Sequence, residues 1–360
     1  MRKTTLSLVL FVLSISSYSQ KFSIDTNYVE RFRNKIIVVL YNSVQQNSLD
    51  LSRQTHPDST EAIPLSYPTV RASFGLTLSY KFVTFSVGTN AFNFIMRDYI
   101  DEREHKIGKT SVRNFAFTWN PNRFRIEMYY RSITGFHEDN RATYDPTFGP
   151  NSVYEQFPKM QTVSYGADIL WTFNARKRFS IGAPYSYTTR QKKSAGSFLM
   201  YFGVNQFSLT SPTSFIPELI SSQYGPYQDL KRFDGTCISW GAGYAYTIVI
   251  GKIFFINLTA TGRYPFMWKR FETESGLVKE DFSEPEDPAL INFAVGRGAV
   301  GINFKRFFAS AYVYADMYNY KYFVKKSQEI GIINKNIRGA VVLGMRFNKP
   351  KKKSTRSSID

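Results

Sequence analysis

The chain is predicted to be all-β: a transmembrane, antiparallel, up-and-down β-barrel of about 12 strands (range about 12 to 14), preceded by an N-terminal signal peptide. Three observations carry this expectation. Segments of alternating apolar and polar residues recur along the chain and run about ten residues or more, as tilted membrane-spanning strands do; soluble strands average about five to six. Tight and long connections take turns between them. After the N-terminal segment no run of about 18 apolar residues could cross a bilayer as a helix.

The N-terminus reads MRKTTLSLVLFVLSISSYSQ. Arg2 and Lys3 form a basic region, Leu6 to Ile15 a short apolar core, and Ser17-Tyr18-Ser19 a small-residue cleavage site. Residues 1–19 are therefore expected to be a secretory signal, with Gln20 starting the mature chain. No cysteine stands at the cleavage site, which excludes a lipoprotein. Removing Arg2 and Lys3 takes the net charge from +18 to +16. Residues 20–348 are assigned to the barrel and 349–360 to a basic, disordered periplasmic tail.

Thirteen candidate strands follow in order: 36–43, 70–80, 82–95, 111–119, 122–134, 160–174, 177–190, 196–205, 236–250, 252–269, 291–304, 306–322 and 334–347. The clearest alternate without a break. In one, Phe124, Ile126, Met128 and Tyr130 oppose Arg125, Glu127, Tyr129 and Arg131; in another, Phe307, Ala309, Ala311 and Val313 oppose Ser310, Tyr312, Tyr314 and Asp316. Tight links are read at 80–81, 120–122, 174–177, 251–252 and 305–306. Long polar stretches are read at 43–69, 97–110, 135–159, 272–289 and 324–332. Short turns on one side and long loops on the other are the habit of outer-membrane barrels, with the short turns periplasmic. Trp119, Tyr129, Tyr130, Trp171, Trp240, Tyr264, Trp268 and 318–322 are read as interfacial aromatics.

Single-chain bacterial barrels have an even strand number. The difficulty is placed in one stretch, where Phe198, Met200, Phe202 and Val204 occupy even positions but Phe207 and Leu209 odd ones. That slip predicts a bulge or turn near 203–206. A turn gives fourteen strands; one weak segment outside the wall gives twelve, the number favoured here. The last strand places Ile337, Val341, Leu343, Met345 and Phe347 on one apolar face. Phe347, its terminal aromatic, is expected to be the signal read by the barrel-assembly machinery.

The segments SAGSFLMYFGVNQFSL (194–209), SFIPELI (214–220) and GYAYTIVIGKIFFINLTATG (243–262) resemble a Bacteroidota family catalogued as domain of unknown function 4421. The resemblance covers nearly the whole mature chain. It implies an outer-membrane barrel and supplies no catalytic residue. The implied location is the outer membrane of a Gram-negative bacterium, reached by Sec export.

Arg123, Arg125, Arg131, Arg263, Arg338 and Arg346 fall on the polar faces. Against lipid each would cost about 2–4 kcal/mol at the midplane, so they are expected to line the lumen. There they either attract anions, as charged rings do in pores, or pair with Glu127 and Asp316 to fill the interior. Two readings follow: a porin-like channel or transporter for small anionic solutes, and a structural or interaction barrel without transport. A lipid-active hydrolase using His137, with Ser132 nearby, is a third reading that no motif supports. The chain is not expected to be an enzyme.

His56 and His105 read as loop histidines, Cys237 as a lumen-facing thiol, and Gly296-Arg297-Gly298 as an interruption of a strand. With three His and one Cys in the chain, no cofactor and no metal is expected. The acidic stretch Glu280, Asp281, Glu284, Glu286 and Asp287 matches no calcium loop and reads as a solvated outer loop. The expected partners are outer-membrane lipids and lipopolysaccharide. Lys349 and Lys351 to Lys353 add peptidoglycan or anionic lipid. Despite a pI near 9.7, an exported chain is not expected to meet nucleic acid.

Overall fold

The structure is a computed structural model that describes residues 25–54, 62–90, 104–121, 123–176, 178–283, 293–319 and 329–348. The signal peptide at 1–19 and the tail at 349–360 lie outside the described residues, as does His56. Fifteen strands occur among the described residues: β1 (Val29–Arg31), β2 (Lys35–Gln54), β3 (Leu65–Tyr80), β4 (Val83–Thr89), β5 (Ser111–Trp119), β6 (Phe124–His137), β7 (Gln156–Thr172), β8 (Thr189–Gln191), β9 (Ala195–Thr210), β10 (Leu230–Ile250), β11 (Phe254–Thr273), β12 (Val278–Ser283), β13 (Phe293–Asn303), β14 (Phe307–Asn319) and β15 (Glu329–Asn348).

Twelve of these form the wall. They pair in the order β10-β9-β7-β6-β5-β4-β3-β2-β15-β14-β13-β11, every pair is antiparallel, and β10 closes on β11. The first and last wall strands meet along their length, from Ile36 opposite Phe347 to Leu51 opposite Ile332. Closure leaves no edge with unpaired N–H and C=O groups, the condition for a sheet to stand in lipid. β12 pairs with β11 beyond the end of β13, within the stretch read from sequence as a polar loop. β1 and β8 form a separate two-stranded sheet.

The wall's outer surface is an apolar belt. Leu40, Phe85, Phe117, Met128, Phe198, Met200, Leu258, Val313, Val341 and Leu343 are all exposed there. In water such a surface would be an aggregation site; in a bilayer it is the contact with acyl chains. Tyr130, Trp240 and Trp268 are exposed with it. Tyr129 and Tyr318, read from sequence as interfacial, instead point inward: the Tyr129 hydroxyl donates to Asn205 Oδ1, and Tyr318 is buried.

The strands are longer than the bilayer requires. A 20-residue strand extends roughly 68 Å, and at a tilt of about 40° it rises roughly 50 Å, about twice the 25 Å apolar band. This explains the slip in the 196–210 region. β9 pairs with both neighbours in unbroken register, and there is no bulge. Alternation of side chains continues, but the hydrophobic residues change faces. Phe198 to Val204 point outward on even positions, while Phe207 and Leu209 point inward and are buried. β2 changes in the same way, from outward Ile36, Val38 and Leu40 to inward Leu49 and Leu51, with Ser48 and Asp50 now outside. Above the membrane the outside of the wall meets water and the inside meets protein.

That protein is the connection between β9 and β10. Phe215, Ile216, Ile220, Tyr224 and Tyr227 bury themselves against inward side chains of ten wall strands, including Tyr67, Val112, Phe136, Met160, Phe233, Phe271 and Ile330. Tyr67 donates its hydroxyl to Phe215 O, Arg53 donates to Gln223 O, and the Tyr224 hydroxyl donates to Ile63 O at 2.7 Å. An apolar dome thus fills the outer end. Fully burying each aromatic or branched side chain stabilises it by about 1.5–3 kcal/mol.

Segment 177–190 is the one that leaves the wall, and the tight link read at 174–177 does not exist. Residues 173–176 and 178–194 belong to a long inner connection that folds up into the barrel. Pro184 lacks an N–H for a ladder, and Tyr187 sits at φ 55°, in the left-handed region. Ser186 and Tyr187 both donate their N–H to Gly182 O, so this is turn rather than strand. The alternating tyrosines that imitate a strand face the lumen. Tyr187 stacks on Phe308 at 3.9 Å, and Tyr185 donates to Asn257 Oδ1 at 2.6 Å. β1 clamps this connection through β8, with Glu30 and Arg190 paired at 2.6 Å.

Candidate functional site

Between the dome and the inner connection lies a polar chamber of about 230 Å³. Its walls come from β2, β3, β4, β5, β6, β7, β9, β13, β14 and β15, and its floor from Tyr185, Ser186 and Tyr187. Tyrosines and ionised side chains dominate the lining.

The charged groups form struts across the lumen. On β6, Arg125 Nε donates to Glu127 Oε1 at 2.5 Å. From β13, Arg297 reaches the same carboxylate with two bonds, Nη1 to Oε1 at 3.1 Å and Nη2 to Oε2 at 2.7 Å. Arg131 on β6 faces Asp316 on β14 at 3.9 Å. Asp168 on β7 accepts from the Tyr201 hydroxyl and lies 3.7 Å from Arg263 Nη2, while Arg263 lies 3.5 Å from the Tyr201 ring centre and donates to its hydroxyl at 2.7 Å. β6 and β14 lie six strands apart in a ring of twelve, so the Arg131–Asp316 pair spans its diameter.

The six arginines read from sequence have different places. Arg125, Arg131 and Arg338 line the chamber; Arg263 is buried beside it. Arg346 lies at the inner end, where Nε and Nη2 donate to Tyr187 O at 3.0 Å, Nη2 donates to Asn303 Oδ1 at 2.8 Å, and the guanidinium lies between Phe32 and Phe308. It grips the inner connection rather than facing the chamber. Arg123 precedes β6 in the turn after Trp119, because the strand starts at Phe124, and so sits at the barrel rim.

Sequence reading passed over Arg297. Gly296-Arg297-Gly298 does not interrupt a strand; all three residues pair regularly with β11 and β14. The signal was present in the parity: Arg297 shares its face with Asn303 and opposes outward Val300 and Ile302. Asp168 was also missed, since no other charge stands near it in sequence. Cys237 is buried among the dome residues.

Tyr41 is held flat against the wall. Its hydroxyl donates to Val87 O at 3.0 Å. Gly75 and Gly88 lie beneath its ring, where a Cβ on Gly75 would come within 2.0 Å of Tyr41 Cζ. Arg338 lies 5.0 Å from the ring centre.

At the outer end of the barrel His137, itself buried, ends β6, with Nε2 3.9 Å from Asp139 Oδ1 and its ring edge-on to Tyr154. Ser132 stands five residues away along the strand and accepts from Gln161 Nε2 at 2.9 Å. Five residues of extended chain span roughly 17 Å, so the two do not form a nucleophile–base pair. Burial raises the Glu138 carboxyl above its ordinary range, although the Tyr144 hydroxyl donates to it at 2.9 Å. His105 lies outside this group, in a short helical turn at 104–107 that precedes β5. Of the acidic stretch, Glu280 is exposed on β12, 3.6 Å from Arg270; 284–292 lie outside the described residues. Among the described residues no three His, Cys, Asp or Glu side chains gather as a metal site.

A family model described as a domain of unknown function (DUF4421) matches residues 23–347, nearly the whole described chain. The protein belongs to the DUF4421 family. No curated protein matches it. This DUF4421 barrel is distantly similar to solved outer-membrane barrels. The outer membrane protease OmpT of Escherichia coli shares 8% identity over 88% of this chain and 98% of its own, with a TM-score of 0.39. The toluene transporter TodX of Pseudomonas putida shares 8% over 87% and 91%, with a TM-score of 0.30. The transport unit of the autotransporter AIDA-I from Escherichia coli shares 11% over 94% and 97%, with a TM-score of 0.30.

Proposed function

We propose that this outer-membrane barrel is a plugged transporter for small solutes, closed at rest. The observation that carries the reading is the polar chamber enclosed between two plugs made by the chain itself, the dome above and the inner connection below. An always-open anion channel is the weaker reading: the dome draws on ten of the twelve wall strands, and the lumen arginines are largely engaged by carboxylates or carbonyls. The struts across the lumen favour a second reading, a structural or interaction barrel with a filled interior. Sec export, assembly through Phe347 and contact of the 349–360 tail with peptidoglycan or anionic lipid belong to the same proposal.

Conductance across planar bilayers tests it. The wild-type barrel is expected to be silent. A variant in which short turns replace both residues 178–192 and residues 212–228, with residues 20–34 removed, loses the inner connection and the dome together and is expected to pass current. Steady wild-type current removes the closed state. A folded, inserted variant that stays silent favours the structural barrel.

A further inference from the structure

We propose that the chamber binds a small organic carboxylate and that Arg338, lying over Tyr41, is the group that receives it. The proposal rests on the plugged-transporter reading only for how the ligand reaches the chamber. Charge is the first argument. Five guanidinium groups, those of Arg125, Arg131, Arg263, Arg297 and Arg338, surround or line the chamber against three carboxylates, Glu127, Asp168 and Asp316. Each carboxylate already has partners: Glu127 takes two arginines, Asp168 takes Arg263 and Tyr201, and Asp316 takes Asn336 at 3.1 Å with Arg131 farther off. Arg338 takes none of them, and its buried Nε has no hydrogen-bond partner among the described residues. A guanidinium enclosed without a counter-ion is unfavourable, and an anion entering the chamber relieves it.

Geometry and size then select the class. Tyr41 is fixed by Val87 O and by the two glycines beneath it, so the Arg338 head rests on a prepared surface rather than at the end of a free side chain. A guanidinium so placed offers a planar fork that a carboxylate matches with two bonds. The volume of about 230 Å³ exceeds the roughly 150 Å³ that holds a benzene molecule. Tyrosine rings around it supply faces for the body of the ligand. An organic acid of ring size uses both the fork and the faces; an inorganic oxyanion uses only the fork.

Titration calorimetry on the purified, folded barrel in detergent tests this with three probes: benzoate, its neutral counterpart benzamide, and inorganic phosphate. Benzoate is expected to bind at one site at least tenfold more tightly than benzamide or phosphate, and Arg338→Gln is expected to bring benzoate down to the benzamide level. Equal affinity for benzoate and benzamide, or no benzoate binding, overturns the proposal even if the variant fails to fold. Phosphate bound more tightly than benzoate overturns the organic class. Benzoate binding unchanged in a folded Arg338→Gln barrel removes Arg338 from the role. Binding is read without passage, so a barrel that binds benzoate but never conducts loses the transport reading and keeps the site; one that conducts when unplugged but binds nothing loses the site alone.

Discussion

Glu127 accepts from two guanidinium groups, Arg125 two positions away on its own strand and Arg297 from β13 across the lumen. The arrangement is legible only in part along the chain. Arg125 and Glu127 share a parity, so their neighbourhood follows from strand alternation. The partner from 170 residues away does not. Removing one member of a buried ionic group leaves the others uncompensated, at about 3–5 kcal/mol. Glu127→Ala is therefore expected to lower stability by about that amount, read as a lower urea midpoint for loss of the compact, heat-modifiable band. Glu127→Ala combined with Arg125→Met and Arg297→Met is expected to recover much of it, since it leaves no stranded charge. A single variant as stable as wild type would remove the strut's structural role.

β15 shows what one strand does at three levels. Ile330 and Ile332 enter the dome, Asn336 and Arg338 enter the polar layer, and Arg346 holds the inner connection, while Leu343, Met345 and Phe347 face lipid. It also closes the barrel on β2, with Phe347 opposite Ile36 at the base. A charge at that outward base position would oppose both lipid contact and closure. Phe347→Asp is expected to abolish the heat-modifiable barrel in the membrane fraction, whereas deleting residues 349–360 is expected to leave it at wild-type level. A normal barrel from Phe347→Asp would refute this. The inner connection is the converse case. Its tyrosines alternate as in a strand, yet Gly182, Pro184 and the left-handed Tyr187 make turns, and only contacts with Phe308 and Asn257 show where the segment lies.

The whole barrel is stratified: apolar below, polar in the middle, apolar above on the inside, with the outside changing from apolar to polar where the strands leave the bilayer. That change of face gives a topological test. Ser208 and Phe202 both point outward on β9, one beyond the change and one below it. In whole cells Ser208→Cys is expected to react with a membrane-impermeant maleimide, and Phe202→Cys is expected to react at least tenfold more slowly. The native Cys237 is buried and contributes no background. Equal labelling would place the membrane boundary elsewhere.

The sequence by itself determined the class of fold, the direction of the strands and the lipid-facing parity. Each is a local consequence of two-residue periodicity and of loop length, and the wall strands at 111–119 and 334–347 show it most clearly. It left the strand number between twelve and fourteen. The decisive segments, 177–190 and 196–210, depend on what their side chains meet rather than on their own pattern. Tertiary structure alone decided that the tyrosines of one fill the lumen and that Phe207 and Leu209 of the other face a dome built by a distant loop. It alone decided the partners of the inward charges as well. Periodicity says that a side chain points inward; only closure of the barrel says which residue waits on the other side.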